Sequence, residues 1–357
     1  MRATYITKSP EETINLGERL AYRSSPDDCV LLYGDLGSGK THFVKGVAKG
    51  LGINDIIKSP TFAYVNRYPI GNVQLNHKSQ FSNHKYLFHY DLYRLNAGDD
   101  LTSIGLTESL EDDSAINIVE WADRIIEAPK KHIGVYFETK KDHHKIQIRF
   151  VDPEIVMPDQ VESFYEEWLT PMHVRAHIKK VTDVAMKIAE AYIAQKEIVN
   201  LNLLYSASMM HDIARVCDFH KLDKTQFKEK ITDAKWVRWE ELRKKYKGMH
   251  HADIASDFFK KLGYVKTGEV IYIHKSRVLA EEQERVNTLE KKIMYYSDKR
   301  VKHEEVVPLK ERFRDGWERY GKYDDTRTRR MFDEVEKMTF ALEKELFEGL
   351  DINPEDL

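Results

Sequence analysis

Cysteine is nearly absent: only Cys29 and Cys217 occur in 357 residues. A fold this long cannot be held by one cross-link, and each cysteine sits in or beside an apolar run. Both read as reduced core residues, which points to a cytoplasmic protein. Long hydrophobic runs are missing as well. No segment approaches the roughly 20 apolar residues that span a bilayer, and Met1–Pro10 lacks the apolar stretch of a signal peptide. The expectation is a soluble protein with no membrane contact. Charge of one sign is also scarce, with 56 Lys and Arg against 59 Asp and Glu and a net charge of -3. That balance argues against wholesale coating of nucleic acid and leaves room only for a local basic patch. No internal repeat or low-complexity tract appears, and the length suits two separate cores.

Against this background Gly34 to Thr41 stands out, reading Gly34, Asp35, Leu36, Gly37, Ser38, Gly39, Lys40, Thr41. It fits the phosphate-loop pattern of Gly, four free positions, then Gly-Lys-Thr. Small residues let successive backbone N–H groups curl around phosphates, Lys40 supplies a point charge, and the Thr41 hydroxyl is placed to ligate Mg²⁺. The flanks agree: Cys29–Tyr33 is a short apolar run suited to a buried strand, and Thr41 to Leu51 carries a helical apolar pattern. Earlier, Ser9-Pro10-Glu11-Glu12 reads as a helix opening with a capping box, and the helix should run to about Tyr22.

Downstream, residues 24–28 form a turn, Ala63 to Tyr68 is strand-like, and the polar stretch Gly71 to Lys85 reads as a surface hairpin or insertion. Tyr86 to Tyr90 should be a strand delivering Asp91, and Ala115 to Val119 another delivering Glu120. A helical stretch is expected between them, from about Leu101 to Leu110, and a polar hairpin from Glu138 to Phe150. Carboxylates at the C-terminal ends of apolar strands are where open α/β sheets build ligand sites. Either acid alone could be a turn residue or a surface ion pair. Together beside a phosphate loop they read as functional.

Four segments, Gly34 to Thr41, Ser59-Pro60-Thr61-Phe62, His89 to Leu95 and Val119-Glu120-Trp121, in this order, resemble the TsaE family of bacterial ATPases. That family serves the machinery that makes threonylcarbamoyladenosine in tRNA, and the resemblance spans about residues 1 to 150. It implies ATP and Mg²⁺ as cofactors, with Thr41 and Glu120 on the metal side. Asp91 would be a catalytic or water-orienting carboxylate, and Thr61 and Trp121 would lie around the nucleotide. It also implies a weak ATPase working with partners similar to TsaD and TsaB, with tRNA engaged only indirectly. The Gly71 to Lys85 insertion departs from the family pattern, as does His42, where the family commonly has a small hydroxyl residue.

After Phe150 the sequence has two prolines within Val151 to Asp159, then turns helical from Ser163. The expected division is a sheet domain over residues 1–152, a linker over 153–169, and a helical domain over 170–357. Within the helices, histidines and acids recur at apolar positions. His177 shares a face with Val181, Val184 and Ile188. His211-Asp212 ends the run Leu201 to Met210, His251 aligns with Ile254, Ala255 and Phe258, His274 with Val270 and Ile271, and Asp298 with Met294 and Val301. Any one histidine is more simply a satisfied core residue, but imidazole and carboxylate groups on inward faces of separate helices are how all-α proteins build metal sites. His251 is preferred over His250, which turns toward Asp253 and Asp257.

The order His177, then His211-Asp212, then a distant Asp298 resembles the HD-domain metal-dependent phosphohydrolases, over about residues 170 to 302. The resemblance implies these four as ligands, His251 and His274 as companions of a dinuclear centre, and Asp212 as the bridging group. Such a set suits Mn²⁺, Fe, Co²⁺, Ni²⁺ or Zn²⁺. The substrate would be a nucleotide or other phosphate ester, with Arg215, Lys179, Lys180, Lys299 and Arg300 as candidate phosphate contacts. The fold class expected is therefore an α/β P-loop NTPase-like sheet domain followed by an all-α HD-domain helical bundle. Lys40, Asp91, Glu120 and Asp212 are the candidate catalytic residues. Two other readings stay open, a nucleotide phosphohydrolase whose first half senses ATP and a non-catalytic assembly subunit. The stripe of Phe332, Val335, Leu342 and Leu346 should pack back on the helical domain in preference to serving a partner. Arg312 to Arg330, with Trp317 and Tyr320, could contact RNA, but its interleaved acids make that the weaker reading.

Overall fold

A computed structural model describes residues 1–23, 28–70, 86–320 and 326–357. The expected turn at residues 24–28 falls largely, and the hairpin at 71–85 wholly, outside the described residues. Contacts divide the chain into two compact units, Met1–Asp152 with Ile193–Ile198, and Pro153–Tyr192 with Val199–Leu357.

The first unit is an α/β layer built on a seven-stranded mixed sheet. Its elements are β1 (Ala3–Thr7), α1 (Pro10–Ala21), β2 (Cys29–Tyr33), α2 (Lys40–Gly50), β3 (Val65–Pro69), β4 (Tyr86–Asp91), α3 (Leu106–Leu110), β5 (Ala115–Glu120), β6 (His132–Thr139) and β7 (His144–Val151). Strand order is β1-β7-β6-β2-β5-β4-β3. The four central strands, β6, β2, β5 and β4, run parallel, while β1, β7 and β3 add antiparallel edges. The run Cys-Val-Leu-Leu of β2 is buried throughout, as a strand covered on both faces requires, whereas edge strand β1 alternates buried and exposed. Parallel pairing sets Asp91 opposite Glu120, so both acids leave the sheet at the same edge.

Helix α1 is capped by Ser9, whose side chain accepts from Glu12 N. Glu12 itself reaches back to Lys8 N, not to Ser9 N, so the expected reciprocal box is displaced by one residue. The helical stretch between β4 and β5 is broken at Gly105, which takes φ 75° and separates a short turn from α3. Strand β1 and β6 up to Phe137 are not anticipated by the sequence; Ala3–Thr7 is short and its alternation is legible only once β7 is there to pair with it. Helices α1 and α2 approach closely through glycine: a Cβ on Gly46 would lie 1.9 Å from Ile14 O, and one on Gly17 2.2 Å from Phe43 O.

The second unit is largely helical, with α4 (Val161–Trp168), α5 (Met172–Ala194), α6 (Leu201–Met210), α7 (Asp233–Lys245), α8 (His251–Lys261), α9 (Val265–Tyr272), α10 (Val278–Glu281), α11 (Leu289–Arg300), α12 (Leu309–Tyr320) and α13 (Thr326–Phe347). A two-stranded ribbon, β8 (Val301–Lys302) with β9 (Glu305–Val306), follows α11. Helix α6 packs on α9 and α11, the three elements that lead into or carry His211, His274 and Asp298. Residues 153–169 are not a linker. Val161, Phe164, Tyr165 and Trp168 of α4 are buried, with Phe164 edge-on to Phe259 and Trp168 edge-on to Phe258, so this segment belongs to the core of the second unit. Of the expected stripe on α13, Val335, Leu342 and Leu346 are buried, as is Thr339, while Phe332 is half-buried against Trp317. Among the described residues no helix is long and apolar enough to cross a membrane.

Gly46→Ala should lower stability by about 1–3 kcal/mol, because the added methyl meets a backbone oxygen that cannot move without shifting α1. Gly316→Ala, in α12 with its nearest neighbour atom 3.7 Å away, should be neutral or gain about 0.5–1 kcal/mol. Thermal melts of the two variants beside wild type decide both.

Candidate functional site

Among the described residues, one cluster of buried polar groups in each unit stands out. In the first, Gly34, Gly37 and Gly39 of the loop between β2 and α2 all take positive φ. At Gly34 a side chain is excluded twice over, by φ 144° and by Phe137 O, which would lie 2.7 Å from a Cβ. Lys40 Nζ donates to the carbonyls of Gly34 and Asp35 at 2.7 and 2.9 Å, and lies 4.1 Å from the centroid of the Trp121 ring. Burial pulls the Lys40 ammonium below its ordinary range, with the Glu120 and Asp91 carboxylates opposing. Thr41, at the start of α2, sends its hydroxyl to both oxygens of Glu120, 2.9 and 3.1 Å away. Trp121 takes a left-handed backbone conformation, φ 59°, that turns its ring over Lys40 and onto Tyr93, 4.9 Å between centroids.

Asp91 is saturated with donors. Its Oδ2 accepts from Ser59 and from Thr61 at 2.7 Å, and its Oδ1 from Tyr93 N at 3.0 Å. The strand ends therefore place Lys40, Thr41, Glu120 and Trp121 in direct contact, with Asp91 and Thr61 one strand away. The Thr41–Glu120 pair is the donor set expected for a hard divalent cation beside phosphate. Loop amides, one ammonium and that pair can together hold a triphosphate.

The second cluster is a ring of imidazoles around two aspartates. Each of four histidines commits Nδ1 to an outer acceptor: His177 to His303 O at 2.8 Å, His211 to Ser208 O at 2.7 Å, His274 to Ile271 O, and His251 to Asp218 Oδ2 at 2.6 Å. Carbonyls and carboxylates only accept, so Nδ1 carries the proton and Nε2 is left to face inward. His251 and His274 present Nε2 to Asp212 Oδ1, at 2.9 and 3.6 Å. His177 and His211 present theirs to Asp212 Oδ2, at 3.9 and 4.0 Å, and to Asp298 Oδ1, at 3.4 and 3.7 Å. Asp212 thus turns one oxygen to each pair of histidines, and it is common to two of the clusters with metal-ligand spacing.

Electrostatics follow from that packing. His211 is fully buried, its Nε2 has no hydrogen-bond partner, and burial pushes its pKa down to about 4, so the ring is neutral at ordinary pH. Burial opposes ionisation of Asp212 too, yet His251 and His211 hold its carboxyl well below the usual range. Asp298 behaves alike, held down by Lys299 and His177. The rings of His177 and His251 resist burial and are raised by Asp298 and Asp212 respectively. His251 and His274 bring their Nε2 atoms within 3.0 Å of each other. Two imidazole lone pairs at that separation repel unless a proton or cation lies between them. The orphaned His211 nitrogen, the inward Nε2 set and the outer anchors fit a divalent-metal site.

Sequence comparison bears on the first unit. Residues 7–148 match the family described as "Threonylcarbamoyl adenosine biosynthesis protein TsaE". A Bacillus subtilis protein, "tRNA threonylcarbamoyladenosine biosynthesis protein TsaE", is 34% identical over 140 residues, which is 39% of this chain and 79% of the relative. The chain belongs to the TsaE family. A Nostoc TsaE of the same description is 37% identical over 128 residues, 35% of this chain and 71% of the relative. A solved structure, Bacillus subtilus YdiB, is 28% identical and covers 43% of this chain and 87% of its own, with a TM-score of 0.33.

The TsaE match lies within the sheet unit, where two partners escaped sequence reasoning. His89 is fully buried with Nε2 2.9 Å from Glu120 Oε1, and Ser59 donates to Asp91. Both sit inside motifs that drew attention for other residues. In the helical unit Asp218 and the carbonyl of His303 were missed; the latter lies in the turn between β8 and β9, where no side-chain pattern could signal it. Two candidate phosphate contacts need correction. Arg300 is buried and spent on Val307 O, Tyr296 Oη and Pro354 O, and Lys299 is buried against His274 O and Asp298 Oδ2. Arg215 remains at the cluster, with Nε 4.0 Å from Asp212 Oδ2.

Neither cysteine is a nucleophile, since burial pushes the Cys29 and Cys217 thiols up to about 12. Ellman's reagent at pH 8 should therefore find no thiol reacting within minutes in the folded protein and both reacting after unfolding. A fast native thiol would contradict the burial of that residue.

Proposed function

We propose that the sheet unit binds ATP with Mg²⁺ and acts as the ATPase subunit of a complex supporting threonylcarbamoyladenosine formation in tRNA. Its partners would be subunits similar to TsaD and TsaB, with tRNA engaged through them. The observation that carries this reading is the meeting of Lys40, Thr41 and Glu120 at a glycine loop, in a chain whose relatives bear that name. Amides of Gly34 to Gly39 and the Lys40 ammonium hold the phosphates. Thr41 and Glu120 hold Mg²⁺, which when bound supplies neutralisation of charge on the γ-phosphoryl oxygens. Asp91, pinned by Ser59, Thr61 and Tyr93 N, orients the attacking water, and Trp121 closes the site over Lys40.

Binding that draws Lys40 off the Trp121 ring changes the surroundings of that indole. ATP with Mg²⁺ should therefore alter tryptophan fluorescence, and Trp121→Phe should lose the change while keeping affinity within about tenfold. Lys40→Ala should abolish binding and, with the partner subunits present, tRNA modification. Modification retained in Lys40→Ala overturns the reading.

We further propose that the helical unit is a metal-dependent phosphohydrolase of the HD type, acting on a nucleotide or other phosphate ester. The supporting observation is the convergence of four Nε2 atoms on Asp212 and Asp298, with His211 Nε2 left unpartnered. His177, His211 and Asp298 would hold one divalent ion and His251 and His274 another, with Asp212 shared. Mn²⁺, Fe, Co²⁺, Ni²⁺ and Zn²⁺ all suit this donor set. The bound metal supplies an acidified water and charge for phosphate oxygens. Arg215 is placed to meet a phosphate at the rim.

Elemental analysis of the purified chain should find about two such ions, lost together in Asp212→Ala. Phosphatase turnover on mono- and dinucleotides should fall at least about 100-fold in that variant and be unchanged in Lys40→Ala. No metal, and no turnover after metal is supplied, overturns this half of the proposal.

A further inference from the structure

The four outer anchors of the histidine ring are not equivalent. His177, His211 and His274 donate to backbone carbonyls, which any sequence provides once the fold is made. His251 alone donates to a side chain, Asp218. The contact is more than a single hydrogen bond. His251 is the first residue of α8, so its backbone N–H has no partner within the helix. Asp218 Oδ2 accepts from that N–H at 3.0 Å and from the ring Nδ1 of the same residue at 2.6 Å. One oxygen thereby fixes both the backbone and the ring of His251, and with them the direction of Nε2 toward Asp212 Oδ1.

The other oxygen, Oδ1, accepts from Arg215 Nη1 at 2.8 Å. Arg215 and Asp218 bound one short turn, Arg215–Asp218, that follows directly on His211 and Asp212. The turn thus joins the first ligand pair to the second. Nη1 of Arg215 also lies 2.9 Å from His251 Nδ1, but a guanidinium has no lone pair to take that proton. The Nδ1 proton therefore belongs to Asp218.

We propose that Asp218 is a positioning residue for the metal centre, aiming His251 and thereby setting the affinity of the His251–His274 half independently of the half held by His177, His211 and Asp298. The inference rests on the metal-centre reading above. It follows from geometry: among the proposed ligands Asp212 alone is common to the two halves, and the ligand that Asp218 holds, His251, belongs to one of them. A carboxylate on the outer nitrogen also makes the inner nitrogen a better donor to a cation, and losing such an outer partner costs roughly 10- to 100-fold in metal affinity.

The test uses Mn²⁺ and the full-length chain, read by equilibrium dialysis and by the electron paramagnetic resonance spectrum, which distinguishes a coupled ion pair from isolated ions. Wild type is expected to bind about two Mn²⁺ as a coupled pair. Asp218→Ala should keep one ion at unchanged affinity and weaken the other roughly 10- to 100-fold, with an uncoupled spectrum at limiting metal. Asp218→Asn, which retains an oxygen acceptor without the charge, should show a smaller loss at the same ion; it also carries the test if the alanine variant fails to fold. Both ions held as in wild type in the variants, or both weakened equally, overturns the role of Asp218 and leaves the metal centre standing. Wild type that binds no Mn²⁺ overturns the metal centre and this inference with it.

Discussion

A carboxylate taken out of water is tolerated only where donors converge on it, and both units of this chain are arranged around that demand. Glu120 and Asp91 end strands in the middle of a sheet and are almost fully buried, as are Asp212 and Asp298 among helices. In the sheet unit hydroxyls, an imidazole and a backbone amide supply the donors. In the helical unit one lysine donates to Asp298, and the inward nitrogens of the imidazoles close around both carboxylates. In the helical unit the imidazoles are themselves held from behind, by three backbone carbonyls and Asp218.

The two solutions differ in what else they can hold. Glu120 is met by a single hydroxyl and one ring beside a loop of outward amides, an arrangement suited to a hard cation and phosphate. Asp212 and Asp298 are met by nitrogens whose outer protons are all committed elsewhere, which suits a softer divalent ion. The same chain thus carries two polar centres of unlike chemistry, each built wholly within its own unit.

Much of the sheet unit was legible in the sequence because its signals are local. The phosphate loop needs glycines at fixed spacing, and an apolar run followed by an acid marks a strand that delivers its carboxylate to the sheet edge. Gly34 to Thr41, Asp91 and Glu120 were visible for that reason. His89 was not, because a histidine inside an aromatic strand carries no sign of which neighbour it will face. That neighbour is set by the parallel pairing of β4 with β5, a relation between segments some thirty residues apart.

In the helical unit the stripe of Val161, Phe164, Tyr165 and Trp168 had a helical period, but two nearby prolines suggested a linker, and only packing against Phe258 and Phe259 makes it core. The inward histidines were legible as polar residues at apolar positions. Their convergence was not, nor was the burial of Lys299 and Arg300, which a charged helix end hides. By itself the sequence determined where glycines, acids and histidines fall at positions of a loop, a strand end or an apolar helix face, because periodicity is a property of neighbouring residues. Tertiary structure decided which nitrogen of each imidazole looks inward, which oxygen of Asp212 it meets, and that Asp218 stands behind His251. Those are distances between segments far apart in the chain, and no local pattern encodes them.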